Sequence, residues 1–257
     1  MSIYQQKRDI KYCGVVGLCA VSQEEFLHKV FELPTDPVSA TVDFIGVPGV
    51  ISAKEDMKVA EVFNACTFAA MDGMPLVKVA KKKGINCERC AGPNVMGPIF
   101  EESVKQGKTH YFYGGKDDGV LGNLKANLER DYPGIQIVGM YSPPFRPLTD
   151  EEDQKLCEEV NALHPDFLWV GIGAPKQEIW MQEHREKIKG TVMFGVGAAF
   201  NFFAGTLDKA PEWVEKAGME WFYRLVKEPK RLWRRYVLGG VKWLWYSNKE
   251  KAEVLKH

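Results

Sequence analysis

The chain has 257 residues, 45% of them hydrophobic and 26% charged, with as many acidic as basic groups. That balance is ordinary for a globular chain and excludes a disordered, collagen-like or uniformly basic nucleic-acid-coating protein. Zero net charge hides an asymmetry: residues 221–251 hold nine Lys or Arg against two Glu, which leaves +7 there and −7 in the rest.

The opening MSIYQQKRDIKYCG is polar and charged, unlike a signal peptide. From there helical periodicity and apolar runs alternate. The expected helices are Gln23–Phe31, Ser52–Asn64, Pro75–Lys83, Gly92–Gln106, Gly119–Tyr132, Asp150–Leu163, Lys176–Lys187 and Pro211–Ala217. The expected strands are Thr41–Gly46, Thr109–Tyr113, Ile135–Tyr141, Phe167–Ile172 and Thr191–Val196. Such alternation predicts βαβ units, and hence a Rossmann-like, open, mostly parallel sheet with helices on both faces. The string SPPFRP at 142–147 is a loop, because its prolines break regular structure. The uncharged run Gly190–Leu207 approaches the length of a membrane span, but four glycines, Asn201 and two threonines read as a strand, a glycine turn and a short helix. No transmembrane helix is expected. The composition shifts near Leu207, which divides an α/β body, 1–207, from a helical, basic and aromatic appendage, 208–257.

The segment FLWVGIGAPKQE, Phe167–Glu178, reads as a buried strand, a glycine turn and a helix start. Gly171 and Gly173 let backbone amides approach an anion, and Pro175 suits the first turn of the helix. Lys176, Gln177 and Glu178 stand at that helix's positive end. A second strand, Thr109–Tyr113, also ends in glycines, Gly114 and Gly115. Two glycine-tipped strand ends in one open sheet predict a ligand crevice at the carboxyl edge.

Asp72-Gly73 closes the apolar stretch FNACTFAAMDG. A carboxylate partly withdrawn from water can act as a general base, although Asp-Gly is also a plain turn. Asp117-Asp118 could hold a metal, but reads as the N-cap of the helix from Gly119, with Asp118 as the capping residue. Cys87 and Cys90 form one CxxC without a partner pair at zinc spacing, so no metal site is expected and the six cysteines read as reduced thiols. Arg224, Lys227, Arg231 and Arg234 recur at three- and four-residue spacing, which places them on one helix face, with Pro229 starting a new helix. Trp233, Tyr236, Trp243, Trp245 and Tyr246 mix with Arg235 and Lys242 as in interfacial helices, so an anionic membrane surface is the expected partner of the tail. Nothing in the acidic body supports nucleic-acid binding.

These strings, in this order, resemble the WecG/TagA/CpsF family of bacterial glycosyltransferases. The resemblance runs through VSQEEFLHKV, SAKEDMKVAEVFNACTFAAMDG, RCAGPNVM, FYGGKDDGVLGNLKANLERDYPGIQIVG, FLWVGIGAPKQEIWM and FGVGAAFNFFAGTLDKAPEWVEKAGMEWFYRLVKEPKRLWRR. It implies an inverting, metal-independent transferase. That enzyme moves an N-acetylhexosamine or its uronic acid from a UDP donor to a sugar on a polyprenyl diphosphate, in cell-wall or surface polysaccharide synthesis. It makes Asp72 the base and Arg89 a phosphate or acceptor contact. It assigns Gly114, Gly115, Gly139, Gly171, Gly173, Asn94, Lys176 and Gln177 to the donor, and Arg224, Arg231 and Arg234 to the leaving diphosphate. It also implies no cofactor beyond the donor, a cytoplasmic enzyme peripheral on the inner face of the plasma membrane, and self-association.

Two departures stand out. The family's Thr-x-Asn before the Asp-Gly helix is replaced by Phe44 and Gly46, with Thr41 or Asp43 as substitutes out of register. The pattern Arg-Val-Ala-Gly-Ser-Asp becomes Arg89-Cys90-Ala91-Gly92-Pro93-Asn94, which removes an acidic charge. They point to a different sugar or acceptor, or to weak activity. A UDP-sugar-binding partner protein with little catalysis is therefore the alternative. A dinucleotide-dependent oxidoreductase is the weaker one, since GxGxxG after the first strand is missing.

Overall fold

The computed structural model describes residues 5–208, 210–211, 213–214 and 218–255, without the side chains of Arg231, Arg234 and Arg235. The chain opens with an antiparallel hairpin, β1 (Ile10–Tyr12) and β2 (Val16–Leu18), and α1 (Gln23–Phe31), capped by Ser22 accepting from the Glu25 amide. Next come β3 (Ala40–Ile45), α2 (Val47–Glu55), α3 (Met57–Ala65), β4 (Phe68–Met71), α4 (Met74–Lys82) and α5 (Gly92–Gln106). Then follow β5 (Thr109–Gly114), α6 (Asp118–Asp131), β6 (Gln136–Tyr141), α7 (Asp150–Leu163), β7 (Phe167–Gly171), α8 (Lys176–His184), β8 (Val192–Gly195) and α9 (Ala199–Phe203).

Six strands pair in the order β4-β3-β8-β7-β5-β6, and all their pairings are parallel. The fold is thus the expected α/β sheet with helices on both faces. Its inner strands are apolar throughout because both faces are covered. One face packs Phe112, Trp169 and Phe194 against α1, α5, α6 and α9, with the Trp169 and Phe194 rings stacked at 4.5 Å. The other packs Tyr111, Leu168 and Met193 against α7 and α8. A third apolar cluster joins the hairpin to α2, α3 and α4.

All five expected strands are present; β4 and the hairpin were not anticipated. β4 is four residues of an apolar stretch that local pattern does not distinguish from the end of a helix. The single helix expected over Ser52–Asn64 is two, because Asp56 is extended and its side chain accepts from the Lys58 amide to start α3. Gly190–Leu207 folds as β8, a turn and α9, and no helix among the described residues is long and apolar enough to cross a membrane. The helix expected over Pro211–Ala217 falls mostly outside the described residues.

The appendage contains α10 (Glu220–Lys227), α11 (Pro229–Trp233), a π-helical turn over Arg234–Leu238 and α12 (Gly239–Lys249). Pro229 starts a new helix as expected, so the basic residues on either side of it do not share one helix face. After it comes β9 (Glu253–Val254), which pairs with β1 and completes a three-stranded sheet. Trp243 enters the third apolar cluster, and Lys54 holds Glu250 at 2.6 Å.

Candidate active site

Neighbouring strands β5 and β7 send the chain in opposite directions: β5 leads outward to β6, and β7 leads back to β8. Their following helices also separate. α6 packs on the face of Phe112 and α8 on the face of Tyr111. A crevice must open between the two strand ends, at the topological switch point of the sheet. Gly114 and Gly171 face each other there, and the Gly115 amide stands 3.4 Å from the Gly171 carbonyl. Gly114, Gly115 and Gly173 have φ of 137°, 89° and 89°, which only glycine adopts without strain. The two glycine-tipped strands of the sequence are thus neighbours in the sheet, paired to their tips.

Gln177 is buried below this edge. Its Oε1 accepts from the Gly173 amide at 3.1 Å, and its Nε2 donates to Glu178 at 2.9 Å. Glu178 thus fixes which way the amide points. Lys176 is exposed at the start of α8, free to reach an anion. Asn94 is half-buried in the first turn of α5, whose Gly92 lies against Val196 beyond β8.

Gly139 has a different place. It lies inside β6, where an added Cβ would meet the Tyr111 ring at 2.3 Å. The glycine makes room for that ring, a packing role rather than a place at a strand end. Asp118 is also displaced from its expected role: Asp117 is the N-cap, accepting from the Val120 amide at 3.0 Å, and Asp118 is the first helical residue.

Asp72 follows β4, at the same sheet edge but three strands from β7. Three strand spacings are about 14 Å. Arg89 grips Asp72 from the segment before α5. Its Nε and Nη2 both donate to Asp72 Oδ1, at 3.2 and 3.0 Å. Its Nη1 donates to Glu220 Oε2 at 2.6 Å, so the appendage enters the site. The Asp72, Arg89 and Glu220 side chains are 28%, 18% and 16% exposed. Burial pushes the Asp72 carboxyl above its ordinary range and Glu220 adds to the push, while Arg89 and Arg224 oppose it. No hydrogen bond from the described residues reaches Asp72 Oδ2. Arg224 lies over the Phe202 ring at 5.7 Å, and its Nε is buried without a hydrogen-bond partner among the described residues. The side chains of Arg231 and Arg234 lie outside the described residues.

The positions that depart from the family pattern have packing explanations. The Phe44 ring packs against Phe26 at a tilt, 5.8 Å between centres. Gly46 stands so close to β4 that an added Cβ would be 2.6 Å from the Asp72 carbonyl oxygen. Thr41 and Asp43 are fully buried within β3. Thr41 accepts from Gln182 of α8, and the Asp43 carboxyl is pushed well up by burial and by Glu178. Neither stands at the strand end where a substitute for Thr-x-Asn would be.

Among the described residues one group could ligate a cation: Asp153, Cys157 and His184, with ligand atoms within 4.8 Å of one another. Its carboxylate and imidazole already pair. His184 meets Asp153 at 2.6 Å and the Trp180 carbonyl at 2.7 Å, and Lys187 holds the other Asp153 oxygen at 2.8 Å. All six cysteines are buried and free.

Glu220 was not anticipated from the sequence. An acid in the first turn of a helix is explained by the helix dipole alone, so nothing local singles it out. A sequence model described as the glycosyl transferase WecG/TagA/CpsF family matches residues 11–256.

Proposed function

We propose, since this chain belongs to the WecG/TagA/CpsF glycosyltransferase family and so serves cell-wall or surface polysaccharide synthesis, that it is an inverting transferase using a UDP-sugar and a lipid-linked acceptor. The observation that carries this reading is Asp72. One of its oxygens is held by Arg89 and the other is left for a substrate, on the sheet edge that also bears the glycine crevice.

The nucleotide diphosphate fits the β5/β7 crevice, where backbone amides and Lys176 meet its charge without a metal. The donor then extends past the ends of β8 and β3 toward Asp72, a span that an extended nucleotide sugar covers. Asp72 Oδ2 takes the proton of the acceptor hydroxyl, which attacks the anomeric carbon as UDP leaves from the opposite side. Burial favours this role, because a carboxylate with a raised pKa is a stronger base. Arg224, with its unspent Nε, would offset the charge growing on the leaving diphosphate, together with Arg231 and Arg234. The transferred sugar is of the N-acetylhexosamine or hexuronic acid type in this proposal.

Membrane docking belongs to the same proposal. Val241, Leu244 and Trp245 are exposed at one-turn spacing on α12, whose Trp243 points into the core. Trp221, Phe222 and Val226 add exposed apolar surface on α10 among basic residues. A polyprenyl-linked acceptor would place the enzyme on the inner face of the plasma membrane, and self-association is the partner state to test there.

Calorimetric titration of UDP in EDTA, with NAD as the control, tests the reading. Saturable UDP binding and none for NAD support it, and no UDP binding rejects it. The alternative, a UDP-sugar-binding protein with little catalysis, is favoured by one observation: Gly46 leaves no room for a side chain where the family carries a polar one. Binding without product for any donor would select it.

A further inference from the structure

The appendage contributes an acid to the site as well as basic residues. Glu220 is the first residue of α10, and it reaches Arg89 across 131 residues of sequence. Arg89 therefore has a carboxylate on two of its edges. Its Nε–Nη2 edge rests on Asp72 Oδ1, and its Nη1 end rests on Glu220. A guanidinium is planar and its donors are fixed relative to one another. Held at its far end, it cannot swing away from Asp72, nor rotate to engage both Asp72 oxygens at once.

We propose that Glu220 is a positioning residue for Asp72: acting through Arg89, it keeps one carboxylate oxygen anchored and the other open to the acceptor hydroxyl, so that the base is assembled only when the appendage lies on the body. The proposal rests on the reading of Asp72 as the base.

Charge and geometry act together. Asp72 and Glu220 share one cation, so the set carries one net negative charge. Arg89 alone would pair with Asp72 and leave it a weak base. With Glu220 drawing on the same guanidinium, Asp72 keeps its affinity for a proton. The other groups near Asp72 are Arg224, also of α10, and Cys90. Arg224 opposes the effect of Glu220. Cys90 remains a neutral thiol, its pKa pushed up to about 12 by burial.

Glu220→Gln tests this, because the amide oxygen still accepts from Arg89 Nη1 while the charge is gone. The first measurement is the titration midpoint of the Asp72 carboxyl by carbon-13 NMR on the full chain, assigned with Asp72→Asn, which needs neither donor nor acceptor. The expected result is a midpoint lower in Glu220→Gln than in the parent, with Glu220→Asp closer to the parent. The second measurement is turnover: kcat in Glu220→Ala is expected to fall about tenfold or more at unchanged donor KM, with partial recovery in Glu220→Asp. An unchanged midpoint in Glu220→Gln overturns the proposal, and so does a parental kcat in Glu220→Ala. Failure of the base reading is separable, since it appears as retained turnover in Asp72→Asn. Thermal unfolding of each variant establishes that the appendage still packs.

Discussion

Gly114 and Gly171 approach so closely across β5 and β7 that a Cβ on Gly114 would lie 2.6 Å from the Gly171 carbonyl carbon. The strands stay paired to their tips, and the Phe200 ring packs on Gly171 beside them. Gly114→Ala would add this clash to a φ of 137°. It should destabilise the fold by about 1–3 kcal/mol and weaken UDP binding, read by denaturant unfolding and calorimetry. Gly122→Ala is the control, because nothing lies near its added Cβ and it sits on α6 away from the tips.

Asp72→Asn should remove turnover by about 100-fold or more while UDP binding persists, since the amide keeps the shape and loses the base. The parent enzyme's pH profile checks the same group. The raised pKa of Asp72 means that kcat/KM falls as pH drops, through a midpoint above the ordinary carboxylate range. Turnover that survives in the variant would reject Asp72 as the base.

Gly46→Asn reintroduces the polar residue found elsewhere in the family. Its Cβ would sit 2.6 Å from a backbone oxygen of Asp72, so the β3 and β4 tips must part. We expect lower stability, by about 1–3 kcal/mol in urea unfolding, and no gain in activity. A gain in turnover would mean that the tips separate readily and that the departure in sequence is a loss of function.

His110 gives a pH signature of the core. It is fully buried, and its Nδ1 accepts from Trp169 Nε1 at 3.0 Å, so the ring is held neutral. Burial pushes its pKa down to about 3. The unfolded chain takes up this proton near the ordinary histidine value and the folded chain does not. Stability from this group is therefore present at neutral pH and is lost as pH falls from about 6.5 toward 3, at about 1.4 kcal/mol per pH unit. His110→Asn keeps an acceptor for Trp169 and should flatten that part of the slope in unfolding measured against pH.

Membrane docking predicts sedimentation with anionic vesicles, weakened by salt and by Leu244→Asp or Trp245→Asp. Both residues are exposed on α12, so the variants should keep the parent unfolding midpoint. Equal binding by parent and variants would remove this face from consideration.

Much of the fold was legible because its signals are local. Helical periodicity over Gln23–Phe31 and Asp150–Leu163 announces α1 and α7, and the apolar runs of β5, β7 and β8 announce buried parallel strands. Gly114, Gly115 and Gly173 marked strand tips because positive φ is a property of single residues. The family was legible from order-preserved strings, and its sequence model spans nearly the whole chain. The surroundings of Gly139 were not legible in the same way: a glycine marks missing side-chain volume, and only the neighbouring strand reveals that the Tyr111 ring fills it.

What the sequence determined by itself was therefore the parallel α/β architecture, the glycine tips of two strands and the basic, aromatic character of the tail. Tertiary structure decided which tips are neighbours, that β4 delivers Asp72 to their edge, and that Glu220 and Arg89 meet across 131 residues. Backbone conformation and amphipathic period are set within a few residues, so they are written locally. A charge pair between distant segments depends on how the appendage packs against the body, and on β9 closing onto β1, which no local pattern encodes.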